Sequence, residues 1–195
     1  VSAKNHIDFV ARTGKFPKLA HGVTINETPV HLTDENGKCR REIIEIFEIL
    51  AGHPGIFIGM GHGDHNEITT VVEKAYEMGI SNRIIIDHPT FMIGASMDEV
   101  RHWVELGCYI EHIAACTTKY AAPHHRHVPL EDVLEMIRIA GAKQTIISSD
   151  FGQADNGDPV AGFDSFIDDL LQSGITEEEI RIMSSVNPSR LMGLD

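Results

Sequence analysis

The chain has 195 residues, 42% of them hydrophobic, which suffices for one domain with a substantial core. Its 29 acidic residues against 16 basic ones give a formal charge of −13, which argues against a nucleic-acid partner, because displacing counterions from phosphates needs a basic stripe. No apolar run approaches the roughly 20 residues that span a bilayer, and the start VSAKNHIDFV has no charged-then-apolar leader, so a cytoplasmic protein without a membrane partner is expected.

The first 40 residues read mostly as loop. KLAHGVTI can form a strand, and TDENGK is a turn with Asn36-Gly37 at its tip. From residue 41 the pattern becomes regular. REIIEIFEIL sets Ile43, Ile44, Phe47 and Leu50 against Glu42, Glu45 and Glu48, a helix. IFIGMG is a short buried strand. Asn66 to Met78 repeats apolar residues at helical spacing and stops at Gly79. RIIID is the next strand, and Ser96 with Glu99 makes a capping box for a helix running to Gly107. CYIEHIA reads as strand, PLEDVLEMIRIAG as helix, QTIIS as strand and GFDSFIDDLLQSG as helix; Thr176 with Glu179 caps one more short helix. Strand and helix alternate without a linker, so residues 1–195 form one domain, with 1–40 irregular and 41–195 built of βα units around a parallel sheet.

Cys39, Cys108 and Cys116 are odd in number and lack CxxC spacing, so they read as reduced core or strand residues. The first residue is Val, which suggests a processed, split or truncated product. No Walker loop, GxGxxG or GxSxG occurs, which leaves nucleotide and serine-hydrolase chemistry without support.

Four strands end in a residue able to bind a divalent metal: His62 in GMGH, His88 in IIIDH, Glu111 in CYIE and Asp150 in TIISSD. Parallel βα arrays place such residues at one rim, where these folds do chemistry. His62 lies between Gly61 and Gly63, which would leave room for a ligand, and Asp64, His65 and Glu67 follow at once; a solvated loop is the plain alternative. His88 ends a buried isoleucine run and so sits on a rigid element, with Pro89 favouring extended geometry for Asp87 and His88; a turn-capping Asp87 is the alternative. In CYIEHIA alternation points Tyr109 and Glu111 inward and His112 toward the helices, and an inward Glu111 needs a metal, another cation or substrate to offset its burial. Asp150 can ligate a metal and take a proton from the water that the metal acidifies, or merely cap the turn with Gly152; Ser148, Ser149 and Gln153 can hold substrate or orient it. His124, His125 and His127 in PHHRH lack helical metal-pair spacing and read as a loop or substrate lid.

Together VSAKNH, DENGK, GHGDHNE, IIIDHP, YIE, SSDFGQ and the terminal NPSRLMGL make the chain resemble the amidohydrolase superfamily of metal-dependent TIM-barrel hydrolases, in particular an uncharacterised amidohydrolase-like branch. The resemblance implies that His62 and His88 end the fifth and sixth strands of a (β/α)8 barrel as metal ligands, that Asp150 ends the eighth as ligand and proton shuttle, and that Glu111 lies on the seventh. His6 would follow the fourth strand and face the substrate. The family's first strand carries an HxH pair, and no such strand precedes VSAKNH, so the chain looks like the C-terminal portion of a barrel, about four to five βα units. Half a barrel leaves open sheet edges and an uncovered interior. A second polypeptide supplying the missing strands and ligands is therefore expected, with self-pairing of this chain as the weaker solution.

The expected function is a metal-dependent hydrolase, or a subunit of one, that uses metal-activated water on an amide, ester or related bond of a small molecule. Zinc is favoured, and manganese, iron or nickel also suit the ligands. His62, His88 and Asp150 are the expected metal ligands, Asp150 the catalytic residue, and Glu111, His65, Gln153 and His6 the substrate contacts. A metal-dependent lyase or decarboxylase on the same scaffold, and a non-catalytic scaffold or regulatory subunit, are the alternatives.

Overall fold

The computed structural model describes residues 28–121, 127–152 and 157–194. The strand expected from KLAHGVTI, together with His6, His124, His125 and Gln153, lies outside them.

Four strands form one parallel sheet in sequential order: β1 (Ile58–Met60), β2 (Ile84–Asp87), β3 (Tyr109–Ile113) and β4 (Thr145–Ser148). The helices are α1 (Arg41–Ala51), α2 (His65–Glu77), α3 (Met97–Glu105), α4 (Leu130–Ala140), α5 (Pro159–Gln172), α6 (Glu177–Arg181) and α7 (Asn187–Leu191). Both expected capping boxes are present, Ser96 with Glu99 at α3 and Thr176 with Glu179 at α6. Two helices start earlier than the apolar periodicity suggests. Asp64 accepts from the Asn66 N–H and so opens α2 at His65, while Asp158 with Pro159 opens α5 three residues before Gly162.

The TDENGK turn forms as expected. Asp34 Oδ1 accepts from the N–H groups of Asn36 and Lys38, Gly37 takes φ 72°, and Thr33 and Cys39 bridge antiparallel across it. It is tied to α2 by the buried Glu67, whose Oε1 accepts from the Leu32 N–H (3.1 Å) and the Thr33 hydroxyl (3.2 Å) and lies 3.1 Å from His31 Nδ1.

Strand alternation divides the sheet into two faces. Ile84, Ile86, Ile110, His112, Thr145 and Ile147 are buried with helix residues such as Val71, Val72, Trp103, Val133, Met136 and Met183 in one core. The opposite face carries Gly59, Ile85, Asp87, Tyr109, Glu111 and Ser148, buried less completely, together with the buried Ile113 and Ile146. A sheet whose sequential strands are all parallel receives its right-handed crossovers on one side, which accounts for this asymmetry.

The terminal NPSRLMGL holds β4 in place. Asn187, fully buried, donates through Nδ2 to the carbonyls of Ala142 (2.8 Å) and Thr145 (2.6 Å). Pro188 has no N–H, and the preceding turn, Ile182–Val186, widens to π geometry between α6 and α7. Among the described residues no helix is long and apolar enough to cross a membrane.

Candidate active site

His62 lies two residues beyond β1, His88 one beyond β2 and Asp150 two beyond β4, all at the C-terminal ends of the strands. All three adopt left-handed backbone, with φ of 65°, 36° and 47°. Non-glycine residues avoid that region at a cost of roughly 1–2 kcal/mol each, and such strain concentrates where side-chain direction matters more than stability.

His88 departs from the extended geometry that Pro89 alone would favour. Its Nδ1–H donates to the Phe91 carbonyl (3.0 Å), and the Phe91 N–H donates back to the His88 carbonyl (3.0 Å). This reciprocal pair closes the turn and leaves Nε2 as the ring's lone-pair nitrogen. The His62 ring meets the His88 ring edge-on, with centroids 4.9 Å apart.

Glu111 occupies the less buried face of β3, as alternation required, and its register partner on β2 is Asp87. The two carboxyl groups share a hydrogen bond. Burial pushes the Asp87 carboxyl up to about 8, with the charges of Glu111 and Asp150 adding to the effect. Asp87 is the residue that sequence reasoning missed. Only a turn-capping role was weighed for it, as the alternative to His88 as a ligand, yet it sits two positions after Ile85 on the face that also carries Glu111, and alternation was the available signal. Gly59 and Gly61 make room for it, since a Cβ at either position would lie 3.2 Å or 3.1 Å from Asp87 Oδ2. Gly63 does not open the site as expected. A Cβ there would meet Ile68 Cδ1 at 2.9 Å, so this glycine serves the packing of α2.

Phe151 anchors the Asp150 turn. It is buried against Gly162 of α5, where a Cβ would stand 2.4 Å from the ring. The nearby Cys116 thiol is pushed up to about 12 by burial, with Asp150 adding to the shift, so it is an inert core thiol. His65 pairs with Glu99 at 2.5 Å, a bond that raises its pKa and joins α2 to the cap of α3. His112 faces the helices, and burial lowers its pKa to about 3. Behind His88 lies a cavity of about 10 Å³ lined by Thr90, His112, Cys116, Val133 and Met136 among others. An open depression of about 920 Å³ along residues 31–44 includes none of the strand-end residues.

The structure therefore brings His62 beside His88, and Asp87 beside Glu111 with Asp150 within electrostatic reach. It does not complete a metal site: among the described residues no three His, Cys, Asp or Glu side chains are placed to hold one ion. The donors present suit a divalent cation in kind, because they offer imidazole nitrogen and carboxylate oxygen and the crowded carboxyl groups would gain from a positive charge.

No curated protein matches the chain. A solved structure of a triple mutant of an organophosphorus hydrolase from Deinococcus radiodurans is similar at 16% identity and a TM-score of 0.46, over 77% of this chain and 62% of that one. The chain thus spans about three fifths of that hydrolase, and so distant a likeness leaves its chemistry to be argued from its own residues. Residues 1–111 match a family of unknown function, DUF6282, and because the match covers more than half of the sequence the chain belongs to that family.

Proposed function

We propose that the protein is a metal-dependent hydrolase, or a subunit of one, acting on an amide, ester or related bond of a small molecule. The observation that carries this reading is the left-handed backbone shared by His62, His88 and Asp150, each one or two residues beyond the end of its strand. Sequential parallel order, with one sheet face carrying Asp87, Tyr109, Glu111 and Ser148, supports a barrel sector over a doubly wound sheet, whose strand order would reverse at a switch point.

His62 and His88 would hold the ion through imidazole nitrogen, with Asp150 as a carboxylate ligand. A bound divalent ion supplies Lewis acidity and lowers the pKa of water. Asp150 would accept a proton from the attacking water and return it to the leaving group. Asp87 keeps its proton while no cation is near, and beside Glu111 it can orient substrate or neighbouring ligands. His65, tied to Glu99, can reach substrate only from the rim, and Gln153 and His6 remain proposed contacts. Since the described residues do not close a three-donor set, the remaining ligands come from elsewhere, and a second polypeptide supplying further barrel strands fits the free outer edges that β1 and β4 have among the described residues.

The test is zinc and manganese titration of the purified protein, alone and as the native complex, followed by turnover of a panel of esters, lactones and amides. Tight metal binding, with at least hundredfold loss of turnover in Asp150→Asn, is expected. Full turnover by Asp150→Asn, or by metal-free protein, would remove the mechanism. Release of carbon dioxide without net hydrolysis would favour the lyase reading.

A further inference from the structure

PHHRH is the motif left without a role. Its last residue, His127, is held by the Cys116 carbonyl, which accepts from the N–H groups of His127 (2.9 Å) and Val128 (3.0 Å) just beyond β3. From there the His127 ring lies flat on Phe91, with centroids 4.6 Å apart and planes 5° from parallel. Phe91 in turn meets the His88 ring edge-on at 5.6 Å, and its carbonyl and N–H form the reciprocal pair with His88. His62, His88, Phe91 and His127 thus form one row of rings crossing from the β1 loop to the β3 loop.

The turn that carries Phe91 is closed by its hydrogen bonds but strained in its backbone. His88 and Met92 both have positive φ, and Met92 at φ 65°, ψ −45° adopts a strained turn geometry. Phe91 itself is extended between them. A ring stacked on Phe91 from another loop favours the one arrangement in which its carbonyl faces His88 Nδ1.

We infer that His127 is a positioning residue: by stacking on Phe91 it fixes the tautomer and direction of the His88 imidazole. The inference rests on the reading of His88 as a ligand, because a ligand histidine needs its second nitrogen held by a hydrogen-bond acceptor. It makes the third loop a determinant of the site that follows the second strand, without His127 itself touching substrate or metal.

The experiment compares wild type, His127→Ala and His127→Phe in the full chain. Imidazole nitrogen chemical shifts of His88 are recorded without metal, and zinc affinity is then measured. Wild type should show His88 as a single Nδ1–H tautomer. His127→Ala should show both tautomers and bind zinc about tenfold more weakly, and His127→Phe, which keeps the stack, should restore both readouts. An unchanged His88 tautomer in His127→Ala, or no rescue by His127→Phe, overturns the inference. Absence of zinc and manganese binding by wild type within its native complex would instead remove the hydrolase reading, and the nitrogen shifts would still decide the role of His127.

Discussion

The carboxyl pair at the centre of the site makes a prediction about stability against pH in the metal-free protein. Asp87 holds its proton to about pH 8 in the folded chain, whereas its ordinary value is 3.8. Between those values the folded state carries one proton more than the unfolded state, so stability falls as pH rises, by up to about 1.4 kcal/mol per pH unit. His112 opposes this. Its pKa drops to about 3 on folding from an ordinary 6.5, so below about pH 6.5 the unfolded chain takes up a proton that the folded chain refuses, and stability falls as pH falls. The two slopes cancel in the acid range and leave Asp87 alone between about pH 6.5 and 8. Over that window the loss amounts to about 2 kcal/mol at most, and nearer 1–2 kcal/mol because Asp87 is not completely buried.

Urea denaturation at pH 6.5, 7.25 and 8 measures it directly. Wild type should lose stability steadily, and Asp87→Asn, which removes the ionisation while keeping the shape, should be nearly flat and more stable than wild type at pH 8. His65, whose bond to Glu99 raises its pKa, contributes a slope of the same sign, but it is partly exposed and is unchanged in Asp87→Asn. A flat wild-type profile, or a slope that survives Asp87→Asn undiminished, would show that Asp87 does not keep its proton above the ordinary carboxylate range.

Three further substitutions test the supports of the site. Gly162→Ala must displace the Phe151 ring and should cost about 1–3 kcal/mol while weakening any ion held by Asp150; a stability change under 0.5 kcal/mol in thermal melts would contradict the tight packing. Asn187→Ala strands the carbonyl of Ala142 and the buried carbonyl of Thr145 at the start of β4 and should cost about 2–3 kcal/mol, with the largest loss of amide-exchange protection at Thr145–Ser148. His112→Leu removes a buried ring whose Nε2 has no hydrogen-bond partner among the described residues, and should leave stability unchanged or raised by about 1 kcal/mol near pH 7 while abolishing the acid-side loss. A loss above roughly 2 kcal/mol would show that Nε2 bonds something in the small cavity behind His88.

What was legible in the sequence was local. Capping boxes, the Asn36-Gly37 turn and the apolar periods of α1 to α5 declare themselves within a few residues, and alternation alone oriented Glu111 and His112 correctly. Asp87 was passed over for the complementary reason. Its importance comes from Glu111, 24 positions away, and from the clearance left by Gly59 and Gly61 on a third segment, none of which marks the residue in its own neighbourhood.

The backbone of His88 was hidden in the same way. Pro89 argues for an extended residue before it, and that preference is overcome only because the ring and main chain of His88 close two hydrogen bonds with Phe91. Local rules describe the cheapest backbone, whereas a site residue is held off it by contacts from other loops. The strained positions His62, His88 and Asp150 were therefore recognisable by residue type and strand-end placement, but not by conformation. Residue type and strain are independent signals, and their coincidence at three strand ends is harder to produce by packing alone than either would be.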